Sequence, residues 1–211
     1  MTTFLNITMS LDGFVAGPNQ TLEQPLGEGG EELHEWIVRL KGWREQHGLE
    51  GGETGPDDDL VRETHERTGA FVMGRRMFSG GAGPWEDDPN ANGWWGDEPP
   101  FGVAVYVVTH HAREPLTLGA TTYTFVDGVE EGIRQAREAA GDRDVQVSGG
   151  AAVAQQALNA GLLDELQIHV APQLLGGGVR LFGAASSDVK LELDDVVSSP
   201  AVTHLNYRAV R

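Results

Sequence analysis

The chain contains no cysteine. That excludes disulfides, thiolate zinc sites, iron–sulfur clusters and the cysteine-dependent zinc deaminases. Positive charge is also scarce: 15 Lys and Arg stand against 32 Asp and Glu, for a formal net charge of −17. Nucleic-acid binders ordinarily present a basic face, so this balance argues against nucleic acid as a partner. No run approaches the ~18 apolar residues of a membrane span. The opening Met1-Thr2-Thr3-Phe4-Leu5-Asn6-Ile7 lacks a basic region followed by a long apolar stretch. The expectation is a cytoplasmic protein with no membrane partner. No repeat of fixed period occurs, the Gly-x-Gly-x-x-Gly dinucleotide fingerprint is missing, and the histidines show no metal-ligand spacing, so no metal is expected.

What is present fits one domain over residues 1–211, with inserted segments at about 44–60 and 80–101. A chain of this size buries roughly 70% of its unfolded surface without help from metals or crosslinks. Strand-like and helix-like segments alternate. Residues 3–9 read as a strand. Leu33, Trp36, Ile37, Leu40 and Trp43 recur at helical spacing over 31–47. Asp57-Asp58-Asp59 opens a helix running to about Thr68. Residues 70–73 form a short apolar strand, and Arg75–Ser79 a short helix. Residues 80–101 are a long loop carrying Trp85, Trp94 and Trp95. Strands follow at 103–109 and 122–126, then a helix over 128–140, a strand at 145–148 and an Ala-rich helix over 151–160. Residues 165–171, 190–198 and 202–210 read as strands without helices between them. The pattern predicts an α/β sheet, mostly parallel, with antiparallel strands added at the C-terminus.

Three segments share one design, an apolar strand followed by a Gly or polar turn and a helix start: Val72-Met73-Gly74-Arg75-Arg76, Val108-Thr109-His110-His111 and Val147-Ser148-Gly149-Gly150-Ala151. In open α/β sheets the carboxyl ends of the strands line the ligand crevice. Helix N-termini there offer free N–H groups to phosphates, and glycines allow close backbone approach.

Taken in order, these segments resemble the dihydrofolate reductase-like family, specifically the branch of the riboflavin-biosynthesis reductase domain (RibD C-terminal-like). The marks are Ser10-Leu11-Asp12-Gly13-Phe14-Val15-Ala16, Met73-Gly74-Arg75-Arg76-Met77-Phe78, Val108-Thr109-His110, Ser148-Gly149-Gly150, and Asp164-Glu165-Leu166 through Pro172-Gln173-Leu174-Leu175-Gly176-Gly177-Gly178. The resemblance implies a three-layer α/β/α fold, a homodimer, NADPH as cofactor and a small heterocyclic substrate. It would set Gly74, Arg75 and Arg76 on the pyrophosphate or 2′-phosphate. Thr109, His110 and Arg113 would flank the phosphorylated ribose, and Ser148, Gly149, Gly150 and Ala151 would approach by backbone. Thr8, Met9 and Ala16 would lie over the nicotinamide. His110-His111 stand where the family often carries Ser-Arg.

The expected activity is hydride transfer to a pteridine- or pyrimidine-like ring, as in 5-amino-6-(5-phosphoribosylamino)uracil reductase. Asp12, alone among residues 1–22 in being acidic, and Glu32 are the candidate catalytic acids. The alternatives are a non-catalytic or regulatory nucleotide binder on the same scaffold, or a true dihydrofolate reductase. The acidity is uneven: residues 23–66 hold 13 acids, whereas 67–85 carry three Arg and no acid, and 145–163 carry no charge. The turns assigned to a polyanionic cofactor therefore lie in neutral or positive stretches.

Overall fold

The structure is a computed structural model that describes residues 1–183 and 189–210. The strands are β1 (Thr3–Ser10), β2 (Phe14–Ala16), β3 (Thr68–Gly74), β4 (Ala104–Val108), β5 (Leu116–Leu118), β6 (Thr121–Val126), β7 (Asp144–Gly149), β8 (Glu165–Ala171), β9 (Val179–Arg180), β10 (Lys190–Ser198) and β11 (Thr203–Val210). The helices are α1 (Glu35–Val38), α2 (Lys41–Gln46), α3 (Pro56–Arg67), α4 (Arg75–Ser79), α5 (Val129–Ala140) and α6 (Ala151–Asn159). Nine strands make one sheet in the order β10-β11-β8-β1-β7-β3-β4-β6-β5, and β2 pairs with β9 in a separate ribbon.

The apolar runs explain the centre of this sheet. Every residue of β3 is buried. Ala70 and Val72 pack into the cluster that includes Val129, Ile133 and Ala136 of α5, while Phe71 and Met73 pack with Phe78 and Tyr123 in another. Successive side chains point to opposite faces of a strand, so a strand covered on both sides must be apolar throughout. α5 buries Val129, Ile133, Ala136 and Ala140, as its periodicity predicts. It lies close to the sheet because Gly132 faces it: a Cβ there would meet Val126 Cγ2 at 3.2 Å and Val108 Cγ2 at 3.4 Å.

α3 begins with Pro56 at its first turn and carries Asp57, Asp58 and Asp59 there. Asp58 does more than complement the helix dipole. It is buried, accepts the Gly42 N–H at 2.5 Å and receives Arg62 Nε at 3.0 Å, which ties α3 to α2.

Three expectations need correction. The helix expected over 31–47 is broken into a 3₁₀ turn at Glu31–His34, then α1 and α2. Leu40 is extended at φ −72° and ψ 142°, because residues 39–41 exchange backbone hydrogen bonds with Glu53. Second, β8 runs parallel to β1, so the antiparallel additions begin with β11 and not at residue 165. Third, β5 and β9 lie in segments to which the pattern assigns no strand. Strands of two or three residues are too short to show a period, and hydrogen bonding to β6 and β2 defines them.

Candidate cofactor and substrate site

The parallel strands deliver their carboxyl ends to one edge of the sheet. Gly74 pairs with Val108, and Met73 with Gly149. A Cβ at Gly74 would meet Val153 Cγ2 at 3.1 Å, Gly150 N at 3.7 Å and Gly149 O at 3.8 Å, so the first and third glycine turns touch. Gly149 sits at φ +101°, a conformation that favours glycine. A Cβ on Gly150 would meet nothing within 4 Å. The structure thus gathers Gly74, Gly149 and Gly150 into one glycine ridge, with Thr109 following the Val108 partner of Gly74. α6 starts directly from it with no acid in its first turn. Val153 and Ala154 donate to Gly150 O, which leaves the N–H groups of Ala151 and Ala152 ahead of the first helical bond.

The side chains around this ridge divide. Arg76 is exposed at the start of α4. Arg75 is 7% exposed and does not face solvent for a phosphate. Its guanidinium pairs with Asp88 at 2.5 Å, bonds to Ser79 Oγ and lies 3.6 Å from the Trp85 ring centroid. Burial works to raise the Asp88 pKa, but hydrogen bonds from Ser79 and Arg75 outweigh it and hold the carboxyl below its ordinary value. Arg113 is likewise diverted. It bonds to Ala91 O and lies 4.7 Å from Trp85 and 4.9 Å from Phe125. Arg75 and Arg113, two of the three arginines expected on the cofactor, therefore clasp loop 80–101, because that loop supplies a buried carboxylate, a carbonyl and an aromatic face. Thr109 is buried, with its Oγ1 accepting from the His111 N–H. His110 is exposed and bonds Asp127 at 2.6 Å.

On one face of the sheet the strands carry polar residues at every second position: Asn6 and Thr8 on β1, Gln146 and Ser148 on β7, and Gln167 and His169 on β8. All but Gln167 line a cavity of about 260 Å³. Its other walls come from α1 and α2, through Trp36, Trp43 and His47, from α3, through Leu60, Val61, Thr64 and His65, and from loop 80–101, through Trp95 and Phe101. The loop thus turns one tryptophan toward Arg75 and another toward the cavity. Thr8, expected over the nicotinamide, and Ser148, expected to approach the cofactor by backbone, line this cavity, whereas Met9 and Ala16 do not; Ala16 is buried within the β2–β9 ribbon, paired with Val179. The period-two polar pairs were the available signal for this wall, and the sequence reading passed over them.

A buried hydrogen-bonded chain backs the cavity. Asn6 Nδ2 donates to Gln167 Oε1 at 3.1 Å, so Asn6 Oδ1 accepts from His169 Nε2 at 3.0 Å. His169 Nδ1 and His204 Nδ1 share a hydrogen bond at 2.7 Å, and His204 Nε2 lies 3.3 Å from Asp57 Oδ1. Trp36 packs 5.0 Å and 5.1 Å from the two imidazoles. Burial pushes His34, His65, His169 and His204 below the ordinary 6.5, with His169 falling furthest. Asp57 opposes the effect at His204, so acid charges that end of the chain first. Among the described residues no group of three or more such side chains is placed to hold a metal.

This arrangement has a pH signature. Unfolded histidines take up protons near 6.5, while the fold keeps these rings neutral. Their contribution is intact above that value and is lost as pH falls from it toward the folded values. The melting temperature is expected to drop between pH 7.5 and pH 5 and to be flat from 7 to 8. Asp12 and Asp88, which are held low, act only below about 4 and leave this window clean. A flat melting profile from 7.5 to 5 would contradict the neutral histidine chain.

The two candidate acids are not in the cavity. Asp12 Oδ1 accepts from Ser10 Oγ at 2.6 Å and the Leu175 N–H at 3.1 Å, and Oδ2 accepts from the Gly176 N–H at 2.7 Å. Ser10 first, then the two backbone donors, keeps this carboxyl below its ordinary value. These bonds clasp loop 172–178 to the end of β1. Glu32 is exposed on the 3₁₀ turn, and its neighbours Leu33 and His34 turn inward instead.

A mostly parallel sheet with glycine turns at its strand ends, an aromatic-walled cavity beside them and antiparallel strands closing one side defines the dihydrofolate reductase-like class. Dihydrofolate reductase from Enterococcus faecalis, complexed with NADP(H) and RAB-propyl, superposes with a TM-score of 0.53 at 13% identity, over 99% of this chain and 96% of that one. The chain belongs to the RibD C-terminal domain family, whose sequence model matches residues 2–205. This family is the reductase part of riboflavin biosynthesis. A structure described as a riboflavin biosynthesis protein from Shewanella sp. PV-4 matches with a TM-score of 0.64 at 22% identity, over 100% of both chains. The Thermotoga maritima diaminohydroxyphosphoribosylaminopyrimidine deaminase/5-amino-6-(5-phosphoribosylamino)uracil reductase matches with a TM-score of 0.59 at 17% identity. That match covers 99% of this chain and 56% of the other. No curated protein matches the chain.

Proposed function

We propose that the chain is an NADPH-dependent reductase of a flat heterocyclic substrate. The observation that carries the reading is the junction at Ser148-Gly149-Gly150: Ser148 lines the cavity, while the next two residues belong to the glycine ridge beneath α6. A ligand in the cavity and a dinucleotide along the ridge would meet there. The residues present fit the cofactor. The space around Gly150 is open, α6 offers uncommitted N–H groups, and Arg76 is a free cation beside Gly74. When bound, NADPH supplies a hydride to an electron-poor C=N or C=O carbon, and the neighbouring heteroatom takes a proton. The chain's own part is to hold the ring against the Thr8 and Ser148 end of the cavity and to exclude water with Trp95 and Phe101.

For assembly, the reading extends to a cytoplasmic homodimer. What supports the dimer is β10, an edge strand with Leu191, Leu193 and Val196 exposed.

The direct test is a melting shift with NADPH followed by its consumption across a panel of pterins and pyrimidines. No shift with NADPH or NADH would overturn the reading, and a shift without oxidation would favour a nucleotide binder. Arg76→Ala should weaken NADPH by about tenfold, the scale of one lost charge-assisted phosphate contact, and leave NADH nearly unchanged. Equal weakening of both would remove Arg76 from 2′-phosphate recognition.

A further inference from the structure

Four histidines line the cavity, and the chain holds two of them in a defined tautomer. His34 Nδ1 lies 3.4 Å from Gly30 O, and His47 Nδ1 lies 2.8 Å from Trp43 O. A backbone carbonyl can only accept, so in both rings Nδ1 carries the hydrogen and donates it. The neutral imidazole then presents Nε2 as a bare lone pair. Each bond runs to the carbonyl four residues earlier, so the local turn sets the tautomer without help from a distant segment.

Neither lone pair is used within the protein. Among the described residues no group bonds to Nε2 of His34 or His47, and neither atom is sealed from water. The His47 ring is held by stacking on the Trp43 indole, with centroids 3.7 Å apart and planes 22° from parallel. Burial pushes His34 toward its uncharged form and the bond to Gly30 only partly opposes this, so near neutral pH the lone pair is the group on offer. The other two histidines differ. His169 commits Nε2 to Asn6 and shares Nδ1 with His204, and His65 has no hydrogen bond to fix its tautomer. The sheet side of the cavity has the opposite polarity. Ser148 Oγ accepts from Gln146 Nε2 and keeps its own O–H to give, and Asn6 spends one Nδ2 hydrogen on Gln167 and keeps the second.

We propose that His34 and His47 read the ring of the substrate by accepting hydrogen bonds from its N–H groups at Nε2, and that the cavity selects heterocycles with a ring N–H beside a carbonyl over rings without such donors. The proposal rests on the reductase reading and deepens it by naming the residues and the ring edge that choose the substrate. It concerns the ring alone and is indifferent to a phosphorylated side chain on that ring.

Lumazine carries two ring N–H groups, each beside a carbonyl, and 1,3-dimethyllumazine replaces both hydrogens with methyl groups. Lumazine is expected to bind the whole chain at least ~10-fold tighter at pH 7.0, measured by its fluorescence and by calorimetry. Variants separate this from the bulk of the methyl groups. His34→Phe keeps a ring and removes Nε2, so it should weaken lumazine roughly fivefold, the scale of one neutral hydrogen bond, and leave 1,3-dimethyllumazine unchanged. His34→Gln restores an acceptor and should recover most of the loss, which a merely structural histidine would not show. His47→Phe and His47→Gln make the same comparison at a half-buried residue, and they decide should the His34 variants fail to fold. The proposal is overturned if 1,3-dimethyllumazine binds wild-type protein as tightly as lumazine, if neither binds, or if both Phe variants leave lumazine affinity unchanged. These measurements need no turnover, so the two readings can fail separately. Lumazine selected through the histidines, with no substrate in the panel oxidising NADPH, upholds the ring preference and counts against the reductase reading. NADPH oxidation by a ring without N–H donors does the reverse.

Discussion

Replacing Arg75 with alanine should destabilise the fold by about 3–5 kcal/mol, the range for breaking a buried ion pair by removing one partner. Arg75 and Asp88 are 7% and 9% exposed, and their contact is reinforced by Ser79, which bonds to both. With Arg75 gone, Asp88 remains as an uncompensated charge in a pocket that Trp85 roofs. Asp88→Ala should cost a similar amount for the converse reason. In a chain of this length each kcal/mol moves the melting temperature by about 2–4 °C, so either variant should melt roughly 6–20 °C lower. Arg75→Met with Asp88→Leu should recover much of the loss, because an apolar pair of similar volume leaves no charge behind. A phosphate-binding Arg75 would behave differently: its removal would spare the melting temperature and weaken the cofactor. That outcome in thermal unfolding and NADPH titration would reassign the residue.

Ala152→Glu should separate stability from cofactor binding. Ala152 is exposed in the first turn of α6, beside the glycine ridge. A carboxylate there complements the positive end of the helix, so the variant should melt at or slightly above the wild-type temperature. The same charge would confront a dinucleotide phosphate at close range, where N–H groups now stand free. NADPH affinity should fall at least ~10-fold by calorimetry, equivalent to about 1.4 kcal/mol. An unchanged affinity would move the phosphates away from α6 and remove the main support for the cofactor's path.

Much of the fold was legible because its strongest signals are periodic. The apolar runs of β3 and β4, the i, i+4 spacing of α5 and the acidic opening of α3 each appear where the pattern puts them. The misread elements were decided by partners distant in sequence. Leu40 interrupts a continuous helical pattern because Glu53 competes for its neighbours' backbone groups. β9 exists only through β2, more than 160 residues earlier. The site divides similarly. The glycine turns were visible as turns, and the sheet brings them together. Arg75 and Arg113 were read as cofactor ligands because nothing in the local sequence shows that a loop a dozen or more residues away folds back to occupy them. Asp12 was isolated in sequence and crowded in space, since its partners lie at 175 and 176.

The construction of that cavity bears on how such a chain can diverge. Its floor is the sheet, whose residues also form the core and carry the glycine ridge. Its outer wall is assembled from two short helices with a joint at Leu40, from α3, and from an insertion clasped by Arg75. Substitutions in that outer wall can redraw the ligand's outline while the strands and the ridge stay as they are. The same scaffold can therefore trade one ring-shaped ligand for another through changes confined to the helices and the loop of that outer wall, and selection on ligand choice need not disturb the machinery that every member of the family would share.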